Sequence, residues 1–115
     1  MARTFDEAEL LERVDNDTAF LAETVEMLIS DGPPLLDKLR VALAAGDAPA
    51  VGRTAHSIKG MLSNFCAPQA HATAQQVEQL GKSGDLAAAP AAVQTLHDDL
   101  DALTQELLEF VKARA

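Results

Sequence analysis

A histidine at position 56 is followed three residues later by a lysine and four residues later by a glycine, in the run His56-Ser57-Ile58-Lys59-Gly60. At those spacings, side chains of an α-helix share a face. An imidazole with an ordinary pKa of about 6.5 is mostly neutral at pH 7, and a neutral, exposed imidazole is a nucleophile that needs no separate base. If a phosphoryl group arrives on its ring nitrogen, an ammonium one turn on can meet the phosphoryl oxygens. Gly60 removes the side chain that would crowd the ring, and Arg53, one turn back, adds a second positive charge.

These residues must be held by a helix. From Val51 to Phe65 the chain separates into two stripes. Val51, Ala55, Ile58, Leu62 and Phe65 form an apolar seam, and Gly52, His56, Lys59, Gly60 and Ser63 form a polar one. A glycine costs a helix interior roughly 1 kcal/mol relative to alanine. Two of them on one face imply bare backbone that lets something bulky approach. Gly52, Arg53, Met61, Ser63 and Asn64 are therefore the expected partner-binding residues around His56.

The rest of the chain reads as helices between short breaks. Residues 5–15 make a short amphipathic helix with Phe5, Leu10, Leu11 and Val14 as its apolar set, and Asp6 near its start. Asp17 caps a second helix running to Ser30, with Phe20, Leu21, Val25, Leu28 and Ile29 on its stripe. Pro33 and Pro34 predict a kink or a restart there, because proline lacks the N–H a helix interior uses. Leu35, Leu36, Leu39 and Leu43 carry a further helix to Ala45, and Gly46 stops it. Asp47 caps the helix of His56, with Pro49 in its first turn, and that helix is expected to reach Phe65. Another runs from Gln69 to Leu80 and ends at Gly81. The last spans Ala91 to Lys112 on a seam of Val93, Leu96, Leu100, Leu103, Leu107 and Val111. Short connections make consecutive helices antiparallel. The expected fold is all-α, an antiparallel four-helix bundle with short additional N-terminal helices, forming one domain over residues 1–115.

Composition narrows the function. Eighteen acidic against nine basic residues give a formal charge of −9, which argues against nucleic acid, whose binding rests on clustered Lys and Arg. No run approaches the eighteen or so apolar residues a membrane span needs. The N-terminus lacks a signal peptide's apolar core, and one cysteine cannot form an internal disulfide, so a cytoplasmic location is expected; the chain is also expected to be a monomer. His71 and His97 lack the spacing of a zinc site, and no metal or cofactor is expected on this chain. Gln75, Gln76 and Gln79 could face the His56 helix. Asp98, Asp99, Asp101, Glu106 and Glu109 read as a solvated face, and Cys66 as a small core residue ending the apolar seam.

With these residues in view, the chain resembles the histidine-containing phosphotransfer (HPt) domains of two-component phosphorelays. The resemblance rests on His56-Ser57-Ile58-Lys59-Gly60 with its continuation to Ala67, and on Leu39, Ala42, Leu43, Gly46 and Asp47 before it. It extends from about residue 5 to residue 112. Met61 departs from the small residue usual in the family, and Cys66 from its usual glycine. The resemblance implies that His56 accepts a phosphoryl group from the aspartyl-phosphate of a receiver domain and passes it to another response regulator. It implies that Lys59 assists the phosphoryl group and Gly60 gives access. It further implies a hybrid histidine kinase upstream, Mg²⁺ held by the receiver, and no autokinase activity. Two other readings stand beside it. One is a non-phosphorylated helical interaction module that binds a signalling partner, and the other is an HPt module excised from a hybrid or chemotaxis-type kinase.

Overall fold

Three aspartates set where the first three helices begin. The computed structural model describes residues 4–114 and contains α1 (Glu7–Arg13), α2 (Thr18–Ala44), α3 (Ala48–Leu62), α4 (Pro68–Ser83) and α5 (Ala89–Arg114), with no strand among the described residues. Asp6, Asp17 and Asp47 are N-caps whose carboxylates accept from the amides of Glu9, Phe20 and Ala50 at 3.0, 3.0 and 3.1 Å. Each satisfies a donor that the helix itself leaves free. Gly46, at φ 68°, ends α2 in the left-handed conformation that glycine adopts without strain.

The four long helices form a ring in which α2 packs on α3, α3 on α4, α4 on α5, and α5 back on α2. The core between them is almost wholly aliphatic. Leu21, Val25, Leu28 and Leu39 enter it from α2, and Val51, Ala55, Ile58 and Leu62 from α3. Ala74 and Val77 come from α4, and Val93, Leu96, Leu103 and Leu107 from α5. Burying each leucine is worth roughly 1.5–3 kcal/mol, so the apolar seams hold the bundle. α1 closes one end: the Asp6 amide donates to the Cys66 carbonyl at 2.9 Å, and Arg13 Nη1 donates to the Ser63 carbonyl at 2.7 Å. Phe5 is buried against Phe110 edge-to-face, with ring centroids 5.3 Å apart.

The observed elements correct several expected boundaries. α2 runs through Pro33 and Pro34 as one helix, so a single short helix, α1, precedes the bundle. Both prolines are exposed, while Leu28, Leu36 and Leu39 keep one buried face on either side of them; packing of that face outweighs two lost backbone bonds. Phe20 and Ile29 lie outside the core. α3 stops at Leu62, and Ser63 to Cys66 form a turn that still buries Phe65. α4 passes Gly81 and ends at Ser83 before Gly84, at φ 77°. In α5 the inner position goes to Phe110 rather than Val111, because the ring of Phe5 meets it there.

Candidate phosphoryl-transfer site

α3 contains two bases and no acid, Arg53 and Lys59, and α4 contains a single acid, Glu78, with Lys82 one turn after it. Packing α3 against α4 brings all four around His56. The contact is close because Gly52 and Gly81 face each other. A Cβ on Gly81 would lie 2.7 Å from Gly52 Cα and 2.9 Å from the Ala48 carbonyl oxygen, distances that real Cβ atoms do not adopt. Gly52 is therefore buried under α4. Its place on the polar stripe serves helix packing. Gly81, expected to end α4, is its other half.

Close approach puts Glu78 beneath the imidazole. The Glu78 side chain is 3% exposed, and that of His56 is 67% exposed. The Lys59 ammonium lies 2.6 Å from Glu78 Oε1, and Lys82 Nζ lies 3.2 Å from Oε2. His56 Nδ1 is 2.8 Å from the same Oε2. Hydrogen bonding to Lys59 holds the Glu78 carboxyl down at about 2 from an ordinary 4.5, against the opposing effect of burial and with smaller help from Lys82 and His56. A carboxylate this acidic is ionised at neutral pH and can only accept. His56 Nδ1 therefore carries the proton and donates a hydrogen bond to Glu78, which leaves the Nε2 lone pair as the nucleophilic position of the ring. This carboxylate-oriented imidazole follows the same logic by which an acid fixes the tautomer of a catalytic histidine.

A cleft of about 450 Å³ opens beside the ring, lined by Pro49, Gly52, Arg53, His56, Glu78 and Lys82. Gly60 is exposed, and a Cβ there would meet nothing within 4 Å. Arg53, Ser63 and Asn64 are exposed on the same helix or just beyond it. Met61 is half-buried, and its terminal methyl reaches α2 at Gly32. Lys59, expected to meet a phosphoryl group directly, is engaged with Glu78 in this structure.

The profile of the Hpt domain family matches residues 23–106. The chain belongs to the Hpt domain family. It is also similar to histidine-containing phosphotransfer protein B (HptB) from Pseudomonas aeruginosa PAO1. That crystal structure aligns with a TM-score of 0.81 and 27% identity, covering 98% of this chain and 98% of that one. Comparison with curated proteins gives no match. As an Hpt domain, the chain is a histidine phosphotransfer protein of the phosphorelay type, a class that works with receiver domains and histidine kinases. Among its described residues, no helix is long and apolar enough to cross a membrane.

Two members of this candidate site, Glu78 and Lys82, are missing from the sequence reading. The glutamines suggested in their stead, Gln75, Gln76 and Gln79, are exposed. A signal existed: Ala70, Ala74, Val77 and Gly81 trace the inner stripe of α4, and Glu78 lies on its edge as the one acid of that helix. The remaining candidates lie elsewhere. His97 Nε2 pairs with Asp101 at 3.3 Å, and His71 lines a small cleft with Cys66 at the α1 end. Asp99 accepts from Thr73 Oγ1 at 2.9 Å and from Gln69 at 3.3 Å, so it ties α5 to α4. Cys66 sits in the turn after α3 at φ 52°. That is a left-handed conformation, which glycine adopts more easily than cysteine. Burial, with a hydrogen bond to Glu9, pushes its thiol above the ordinary value.

Proposed function

We propose that His56 is the phospho-acceptor, through Nε2. The lone pair on Nε2 attacks the phosphorus of a receiver's aspartyl-phosphate. The bond to the aspartyl oxygen breaks, and the carboxylate leaves. Nδ1–H keeps its hydrogen bond to Glu78 throughout, so positive charge on the phosphorylated ring rests against a fixed anion. Arg53, Lys59 and Lys82 supply the positive field for the phosphoryl oxygens. For onward transfer, the aspartate of a second response regulator attacks the same phosphorus and imidazole leaves. The chain brings no metal; Mg²⁺ travels with the receiver. Arg53, Ser63 and Asn64, with Met61 at the margin, would meet the receiver, and Gly60 leaves room for it.

One observation carries this reading: an exposed imidazole whose inner nitrogen is tied to an ionised, buried carboxylate. The test is transfer from a panel of phosphorylated receiver domains to the wild type and to His56→Gln. We expect an acid-labile, base-stable phosphate on the wild type and none on the variant. Label surviving in the variant would place the acceptor elsewhere. A folded wild type that takes no label from any receiver would favour a binding module that is not phosphorylated.

A further inference from the structure

Charge is divided unevenly between the two sides of this bundle. α3 and α4 together contain Arg53, Lys59 and Lys82 against Glu78 alone, whereas α2 and α5 contain nine acids against four bases, Lys38, Arg40, Lys112 and Arg114. Between α2 and α5 runs a groove of about 550 Å³, on the side of the bundle away from the α3–α4 contact. Its floor is aliphatic, with Leu28, Leu36 and Leu100, and two large apolar side chains on its walls stand in solvent, Ile29 at 38% and Leu108 at 44% exposure. Asp101 and Glu109 line its rim, and Lys112 is the one cation among its lining residues.

Pro33 has no N–H, so the carbonyl of Ile29 cannot receive its regular bond from four residues on, and both residues line the groove. An apolar floor and carboxylates on the rim together select the chemistry of what fits.

We propose that the α2–α5 groove docks an amphipathic helix of a partner protein, with an apolar stripe flanked by Lys and Arg. Its aliphatic residues cover Ile29 and Leu108, in the helix-in-groove mode. Its cations meet Asp101 and Glu109. An acidic helix is disfavoured by the like charge of Asp101 and Glu109 on the α5 rim. Docking here leaves His56 open, so the partner and a receiver can be held at once.

The test uses two synthetic helical peptides that share one leucine stripe, flanked by lysines in one and by glutamates in the other. Binding is followed by methyl NMR on the full chain. The lysine peptide is expected to shift the Ile29 and Leu108 methyl signals and to leave those of Ile58 and Leu62 beside the His56 site in place. Its affinity is expected to fall about tenfold in Leu108→Gln, as for an anchor residue of an interface, and to fall again in Asp101→Lys/Glu109→Lys. These positions are at the surface, so the variants keep the core. Equal response to both peptides, no response of the groove methyls, or binding indifferent to Leu108→Gln would overturn the proposal. Self-association that buries Leu108 would assign the groove to a second copy and overturn it equally.

Discussion

At the scale of single residues, Glu78 decides how His56 behaves. A carboxylate accepts and never donates, so it fixes one tautomer; a glutamine in its place can do either. Glu78→Gln is expected to keep its helicity while losing the single tautomer, visible as mixed Nδ1 and Nε2 protonation of His56 in nitrogen NMR. Phosphoryl acceptance should slow on the order of tenfold or more, as when an orienting acid is amidated. The same residue governs an acid limb of stability. The Glu78 carboxyl sits near 4.5 when unfolded and about 2 when folded, so the folded chain binds fewer protons between those values. Its contribution is complete above the unfolded value and is lost as pH falls toward the folded one. Denaturation midpoints should therefore decline between about pH 5 and pH 2 in the wild type, and more weakly in Glu78→Gln. His56, Lys59 and Gly60 were legible because their relation is local, three and four residues along one helix. Glu78 is 22 residues away from His56, and only the register of α4 on α3 brings it under the ring.

At the scale of helices, two glycines that look alike in sequence have opposite roles. Gly60→Ala meets open space and should raise stability by about 0.5–1 kcal/mol, the usual gain in a helix interior. Slower transfer in that folded variant would measure the room a receiver needs over His56. Gly81→Ala would drive a methyl group into the backbone of Gly52 and Ala48. It should destabilise by about 3 kcal/mol or more, and any folded remainder should lose the His56–Glu78 bond, since α4 must move away. Thermal melts of the two variants, side by side, check both. Caps and seams were readable because Asp6, Asp17, Asp47 and the leucine spacing act locally. The passage of α2 through Pro33 and Pro34 was not: it depends on how much Leu28, Leu36 and Leu39 gain from one shared face, and that gain exists only once α3 and α5 are in place. The inner stripe of α4 was fainter, because it is made largely of alanines and a glycine, which mark burial by their spacing and not by their type.

At the scale of the molecule, a formal charge of −9 conceals a basic face on α3 and α4 and an acidic one on α2 and α5. A receiver whose phosphorylation pocket is acidic would be drawn to the first and turned away from the second. The rate of phosphoryl transfer at limiting receiver concentration should therefore fall as salt rises from about 0.05 to 0.5 M, where screening shortens to a few ångströms. Transfer at saturating receiver should change much less, and stopped-flow or rapid-quench assays separate the two. The contact of Phe5 with Phe110 bears on a different matter. It fastens the beginning of the fold to its end, so the polypeptide enters and leaves the domain at nearly one point. Such a unit can be spliced into a surface loop of a larger protein like a bead on a closed stitch, with both joins on one side and the imidazole of α3 still free to meet its partners.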